Sequence, residues 1–324
     1  MVLGKGLSQE RIVGAIALAI FCVFSLFVDG FFTSANIVAL VQNVSVLGML
    51  GIAMVLTVLG RGIDLSIVAT MAVSVAWFLQ QLSLDVSPWQ ALSLALLFSL
   101  AVGLVNGVLI AFVEIPAIFT TLAMGSVVYG FGKYFMVTAD VTYLPESWKW
   151  LSAAVTARPL GIPVPVAIFA ATAAVASIFL HYVRQGRFIY AMGENPLAAR
   201  TSGMPVRTLI VLQYVLSSLV ALCAGLLMSM LVVSMNTRIV GSTLVYDVIL
   251  VVVLGGVSLS GGKGGILSVV MGTLLIGVLL NGMTLLDLDY TAQNVIKALI
   301  LLGALVLDTL VNPRDEQTAQ QGDI

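Results

Sequence analysis

The sequence predicts an all-α integral membrane protein: a polytopic bundle of about ten transmembrane helices with both termini on the cytoplasmic side. Three observations carry that expectation. The 324 residues are 60% hydrophobic and only 9% charged, whereas soluble domains hold about 25% charged residues. The apolar residues fall in runs of roughly the 20 residues that a helix needs to cross a hydrocarbon core of about 30 Å. The alternating pattern of a membrane barrel is missing, and within lipid a helix satisfies its own backbone groups where a lone strand does not.

The runs fall near residues 12–30, 37–60, 65–82, 89–113, 116–137, 163–183, 209–234, 243–259, 264–284 and 292–311. The first follows Lys5 and Arg11, and Ile12 to Val28 exceeds a signal-peptide core of about 7–15 residues, so it is expected to stay as a span. Basic residues in short loops favour the cytoplasm. With both termini inside, that side receives Lys5, Arg11, Arg61, Arg184, Arg187, Arg200, Arg207, Lys263 and Arg314, against Lys149, Arg158 and Arg238 outside. The segment 138–162 is then an outer loop, with Trp148 and Trp150 as interfacial anchors. The segment 184–208 is the one substantial cytoplasmic connection. It holds a Gly193-Glu194-Asn195-Pro196 turn and a short helix candidate at Leu197–Arg200, with Pro196 suited to its first turn and Gly203 to its C-terminal cap. Residues 312–324 read as a flexible cytoplasmic tail too poor in apolar matter to fold alone. The chain, 1–324, is therefore read as a single transmembrane domain.

Several function classes are excluded. The net charge is -1 and no basic run occurs, so a nucleic-acid partner has no support. His181 is the only histidine and Cys22 and Cys223 lie far apart, so no Cys/His metal cluster is expected, and both cysteines are expected to be small buried apolar residues. No GxxxxGK[ST] loop is present, so the chain does not hold nucleotide in that way. A single histidine without a buried carboxylate pair argues against a membrane-embedded enzyme.

Polar groups inside lipid cost about 2.5–3.5 kcal/mol when charged, so each asks for a reason. In Leu59-Gly60-Arg61-Gly62-Ile63-Asp64-Leu65-Ser66, Arg61 and Asp64 are placed to pair across one turn, and the glycines permit a break in the helix. Six glycines between Gly255 and Gly265 suggest a second junction where backbones approach closely. Asn43, Asp64, Ser66, Asn106, Thr120, Thr121 and Asn281 are the candidate solute-path residues. Neutral amides and hydroxyls suit an uncharged polyhydroxylated solute because they donate and accept without requiring a counter-ion. An ion-coupled secondary transporter is the rival from another class, although no chain of buried carboxylates marks a proton relay.

Five separated motifs then stand in order: GRGIDLS; IPAIFTTLAMG at Ile115–Gly125; GRFIYAMGENPLAARTSGMPV; VLGGVSLSGGKGG; and IKALILLGALVLD at Ile296–Asp308. Together they resemble the permease subunits of bacterial ribose/galactose-type ABC sugar importers. The resemblance implies a multi-pass protein of the bacterial inner membrane, moving a small neutral sugar delivered by a periplasmic sugar-binding protein. It also implies a cytoplasmic ABC ATPase, which uses ATP and Mg while this chain binds no cofactor, and a second permease copy or related subunit. Membrane lipid surrounds it. By position, Gly193, Glu194, Asn195, Pro196, Ala198, Ala199, Arg200 and Gly203 resemble the segment that couples to the ATPase. Arg61 stands where a second Gly is usual, and Val68 replaces a common Gly. Relatives of the family also carry nucleosides or a furanosyl autoinducer, so those solutes stand as the alternative.

Overall fold

The computed structural model describes residues 9–311; the predicted tail at 312–324 lies outside the described residues. Ten apolar helices occupy the ten predicted stretches: α1 Gln9–Phe27, α2 Ser34–Val58, α3 Ile67–Ser83, α4 Pro88–Ala111, α5 Ala117–Phe131, α7 Val164–Tyr182, α10 Val206–Val232, α11 Leu244–Leu254, α12 Ile266–Leu285 and α13 Tyr290–Val311. Three short helices lie between them: α6 Lys149–Thr156, α8 Arg184–Glu194 and α9 Pro196–Thr201. By length and composition, six of the described helices suffice to cross a membrane: α1, α2, α4, α7, α10 and α12. The expected span at 243–259 becomes the shortest of the ten. α11 ends at Leu254 where Gly255 and Gly256 begin a break, leaving 11 residues, or about 16 Å of helix.

α2 is the central helix. From Leu47 to Leu59 nearly every side chain is buried, as expected of a helix that is apolar all round and covered on all sides. It packs against α10, α12, α7 and α11. α4 and α10 form the closest pair, made possible by small residues on α4. A Cβ at Gly103 would lie 2.6 Å from the Tyr214 carbonyl oxygen, and one at Gly107 2.6 Å from Val211 Cα. Backbones that approach so closely gain van der Waals contact, the main attraction between helices once all are in lipid. α5 continues into a π-helical turn, Gly132–Met136.

The helices on the rim turn apolar side chains outward, among them Leu26 and Phe27 of α1 and Phe119, Leu122 and Phe131 of α5. Cys22 and Cys223 correct the sequence expectation, because both stand on exposed helix faces. In a membrane the outward face is itself apolar surroundings, so burial in the protein gives a thiol little extra.

One small sheet lies beside this bundle. Strands β1 Val141–Tyr143 and β2 Ser234–Asn236 pair antiparallel, Thr142 opposite Met235, and join the stretch after α5 to the end of α10. Asp140 reinforces the joint with ion pairs to Lys133 at 2.8 Å and Arg238 at 2.6 Å.

Candidate functional site

Between α2 and α3 the chain is not helical from Leu59 to Ser66, and this break organises the site. Arg61 takes a left-handed φ of 68°, a conformation that costs a residue with a Cβ about 1–2 kcal/mol and that glycine adopts without that cost. The turn separates Arg61 from Asp64, so the pair expected from their spacing is replaced by different partners on each side. Asp64 Oδ1 accepts from the Ser66 amide at 3.0 Å and its hydroxyl at 2.6 Å, and Oδ2 accepts from Ser217 Oγ at 3.0 Å. Asn106 Nδ2 donates to Ser66 Oγ at 2.8 Å. Thr121 Oγ1 accepts the Leu65 amide at 3.1 Å and lies 3.1 Å from the Ile63 carbonyl oxygen. Side chains from α4, α5 and α10 thus hold the break from three directions. All are buried, so the acid is compensated by hydroxyl and amide donors rather than by a cation.

Four of the seven predicted path residues, Asp64, Ser66, Asn106 and Thr121, therefore meet in one cluster. Thr120 is buried one residue away and approaches the Pro116 carbonyl at 3.3 Å. Asn281 lies elsewhere, exchanging two amide hydrogen bonds with Asn36 at 2.9 and 2.8 Å across α12 and α2. Asn43 is exposed on α2. The spacing of the sequence does not reveal α10's contribution: Ser217 bonds Asp64, while the polar ends of Gln213 and Tyr214 press on Gly60 and Gly62. Gln213 Nε2, the Tyr214 hydroxyl and Asn106 Oδ1 are buried without a hydrogen-bond partner among the described residues.

The short helix predicted at Leu197–Arg200 is present as α9, and α8 before it is also helical. Pro196 pushes Asn195 into an extended conformation, φ -148°, which separates the two helices. Asn195 Oδ1 then caps α9 by accepting the Ala198 amide at 2.9 Å. Gly203 closes it at φ 76°. Ala199 is buried against Met192, Val206 and Leu209, whereas Glu194, Leu197, Ala198 and Arg200 face outward. α9 is thus fastened by one face and presents the other.

Two glycine-bearing turns that lie far apart in sequence converge on Gly193 in the last turn of α8. The Gly262 amide donates to the Leu59 carbonyl at 2.9 Å. Gly193 fits against Leu59 and Gly262 so closely that a Cβ there would strike the Leu59 carbonyl oxygen. Tyr190 on α8 donates to the Gly264 carbonyl at 2.9 Å. At the other end of the bundle, Lys297 of α13 pairs with Asp247 of α11 at 2.9 Å beside a cleft of about 400 Å³ bordered by Leu250, Leu301 and Leu305. Lys297 was missed in the sequence, although a lone lysine in an apolar helix asks for a partner. Among the described residues no group of three His, Cys, Asp or Glu is placed to hold a metal.

Residues 36–306 match the family described as "Branched-chain amino acid transport system / permease component". The ribose import permease protein RbsC of Escherichia coli K12 is 33% identical over 90% of this chain and 91% of its own length. The L-arabinose transport system permease protein AraH of the same strain is 33% identical over 89% and 87%. The galactofuranose transporter permease protein YtfT, also of that strain, is 32% identical over 81% and 76%. No solved structure matches the chain.

Proposed function

This chain belongs to the permease family of bacterial ABC sugar importers, a transport subunit rather than an enzyme, and from that premise we propose that it forms an alternating-access path for a small neutral sugar. In this reading ten spans place both termini in the cytoplasm, and the chain works in the inner membrane with a second copy or related permease. A periplasmic binding protein delivers a pentose or hexose. A cytoplasmic ATPase supplies ATP and Mg chemistry and docks on α8–α9. Nucleotide then acts by favouring one of two conformations, since a ligand shifts an equilibrium only through its differential affinity for the states. The single observation that supports the docking is the two-sided character of α9: Ala199 is buried while Leu197, Ala198 and Arg200 are exposed.

The solute path is placed beside the Gly60–Ser66 break, with Asn43, Thr120 and Asn281 kept as path candidates. Support comes from the buried polar side chains gathered there, which are costly in a membrane without a role. A zwitterionic amino acid, the substrate in the family's description, would ask the path for a cation and an anion. Asp64 is the only charged residue among the seven candidates, which favours a neutral solute. Nucleosides and a furanosyl autoinducer are the alternatives of the same chemistry.

Proteoliposomes carrying the chain with its ATPase and binding protein test this directly. ATP-dependent uptake of a pentose or hexose, with no uptake of leucine, is the expected result. Uptake that survives ATP depletion and collapses with an ion gradient would identify a secondary transporter instead. Ala198→Trp and Arg200→Glu alter the exposed face of α9 and are expected to abolish copurification of the ATPase. Undisturbed copurification and uptake would remove α9 from the docking surface.

A further inference from the structure

Arg61 joins the cytoplasmic segment to the membrane break. Its Nε donates to the Gly193 carbonyl at 2.7 Å and its Nη2 to the Glu194 carbonyl at 2.8 Å. These are the last two carbonyls of α8, so the guanidinium sits at the negative end of the helix dipole, where a cation is favoured. Its stem is confined, because Gly261 approaches so closely that a Cβ there would lie 2.6 Å from Arg61 Cγ. Three residues further along, Asp64 is gripped by Ser66 and Ser217. Only Gly62 and Ile63 separate the side chain that holds α8 from the one that anchors the break.

We propose that Arg61 is a positioning residue that ties α8–α9 to the α2–α3 break, so that a displacement of the coupling segment is delivered to the Asp64 cluster. The proposal rests on the reading of α8–α9 as the segment that meets the ATPase. The residue type fits the task. A planar guanidinium engages two adjacent carbonyls at once, whereas the ammonium of lysine acts as a point charge on a flexible stem. The fixed geometry carries motion, and it is kept at a backbone conformation that glycine would occupy without strain.

Arg61→Gly separates the tie from the fold, because φ 68° suits glycine. In the assembled complex with its ATPase, hydrogen exchange is followed with and without nucleotide, together with solute moved per ATP hydrolysed. In the wild type, nucleotide is expected to change exchange at both 184–201 and 62–66. In Arg61→Gly the complex should assemble and melt no lower, the change at 184–201 should persist, and the change at 62–66 should vanish. Solute per ATP should fall about tenfold, in the range usual for coupling between sites, and Arg61→Lys should recover part of it. An unchanged response at 62–66 with an unchanged ratio overturns the tie alone. If 184–201 is indifferent to nucleotide in the wild type, the coupling reading fails and the tie fails with it.

Discussion

At the residue scale, the buried carboxyl of Asp64 and the left-handed Arg61 define the site between them. Ser217 donates the hydrogen bond that Asp64 Oδ2 accepts. Ser217→Ala should leave that oxygen without its donor and destabilise the protein by about 1–3 kcal/mol. Thermal unfolding in detergent measures this, with Ser126→Ala on the exposed face of α5 expected to stay within about 0.5 kcal/mol. Equal midpoints for the two variants would mean that Ser217 contributes nothing to the cluster. Asp64, Ser66 and Asn106 were legible in the sequence as costly polar residues among apolar ones. Ser217 was not, because one more serine in a small-residue helix carries no such signal. Arg61 was legible as an oddity, but its partners were not: spacing favoured Asp64, and only the direction of the turn sends the guanidinium to α8.

At the scale of elements, the spacing of Gly103 and Gly107 is a small-residue repeat that brings α4 onto α10. Gly107→Leu must push Val211 away, and because Asn106 precedes it, the same shift draws Asn106 from Ser66. A loss of about 1–3 kcal/mol or more is expected, read as a lower melting temperature together with reduced uptake. Gly130→Ala serves as the contrast. Nothing lies within 4 Å of a Cβ there, and alanine improves the helix by up to about 1 kcal/mol, so stability should hold or rise. If both glycines tolerate substitution equally, the α4–α10 contact is looser than described. Helix positions were readable from apolar runs alone, yet their ends moved where local backbone chemistry intervened. Gly255 and Gly256 stop α11 early, and Pro196 divides α8 from α9.

At the scale of the whole molecule, the ends of the bundle are held differently. Near α8 main-chain carbonyls and glycines are met by one another and by the Arg61 and Tyr190 side chains; beside the small sheet the contacts are ionic. The hydrogen bond from Lys133, and next that from Arg238, holds the Asp140 carboxyl below its ordinary range. A depressed carboxyl contributes stability in full above the unfolded value, about 3.9, and loses it as pH falls through the lowered folded value. Wild type and Asp140→Asn should therefore differ in exchange protection of 234–238 at neutral pH and converge in strong acid. A difference that persists below the folded value would assign the protection to something other than the carboxylate.

Composition and run length by themselves determined that the chain is helical and membrane-embedded, and roughly where its helices lie, because the bilayer imposes length and apolarity on each segment independently. The five motifs added the family. The tertiary structure decided which interruptions meet: residues 59–62, 193–194 and 261–264 are far apart in the chain and touch only after α2, α8 and α12 have packed. It also decided that Asp64 is held by α10 rather than by Arg61. Partner choice for a buried polar group depends on backbone direction and on neighbours brought by folding, and neither is local to the sequence.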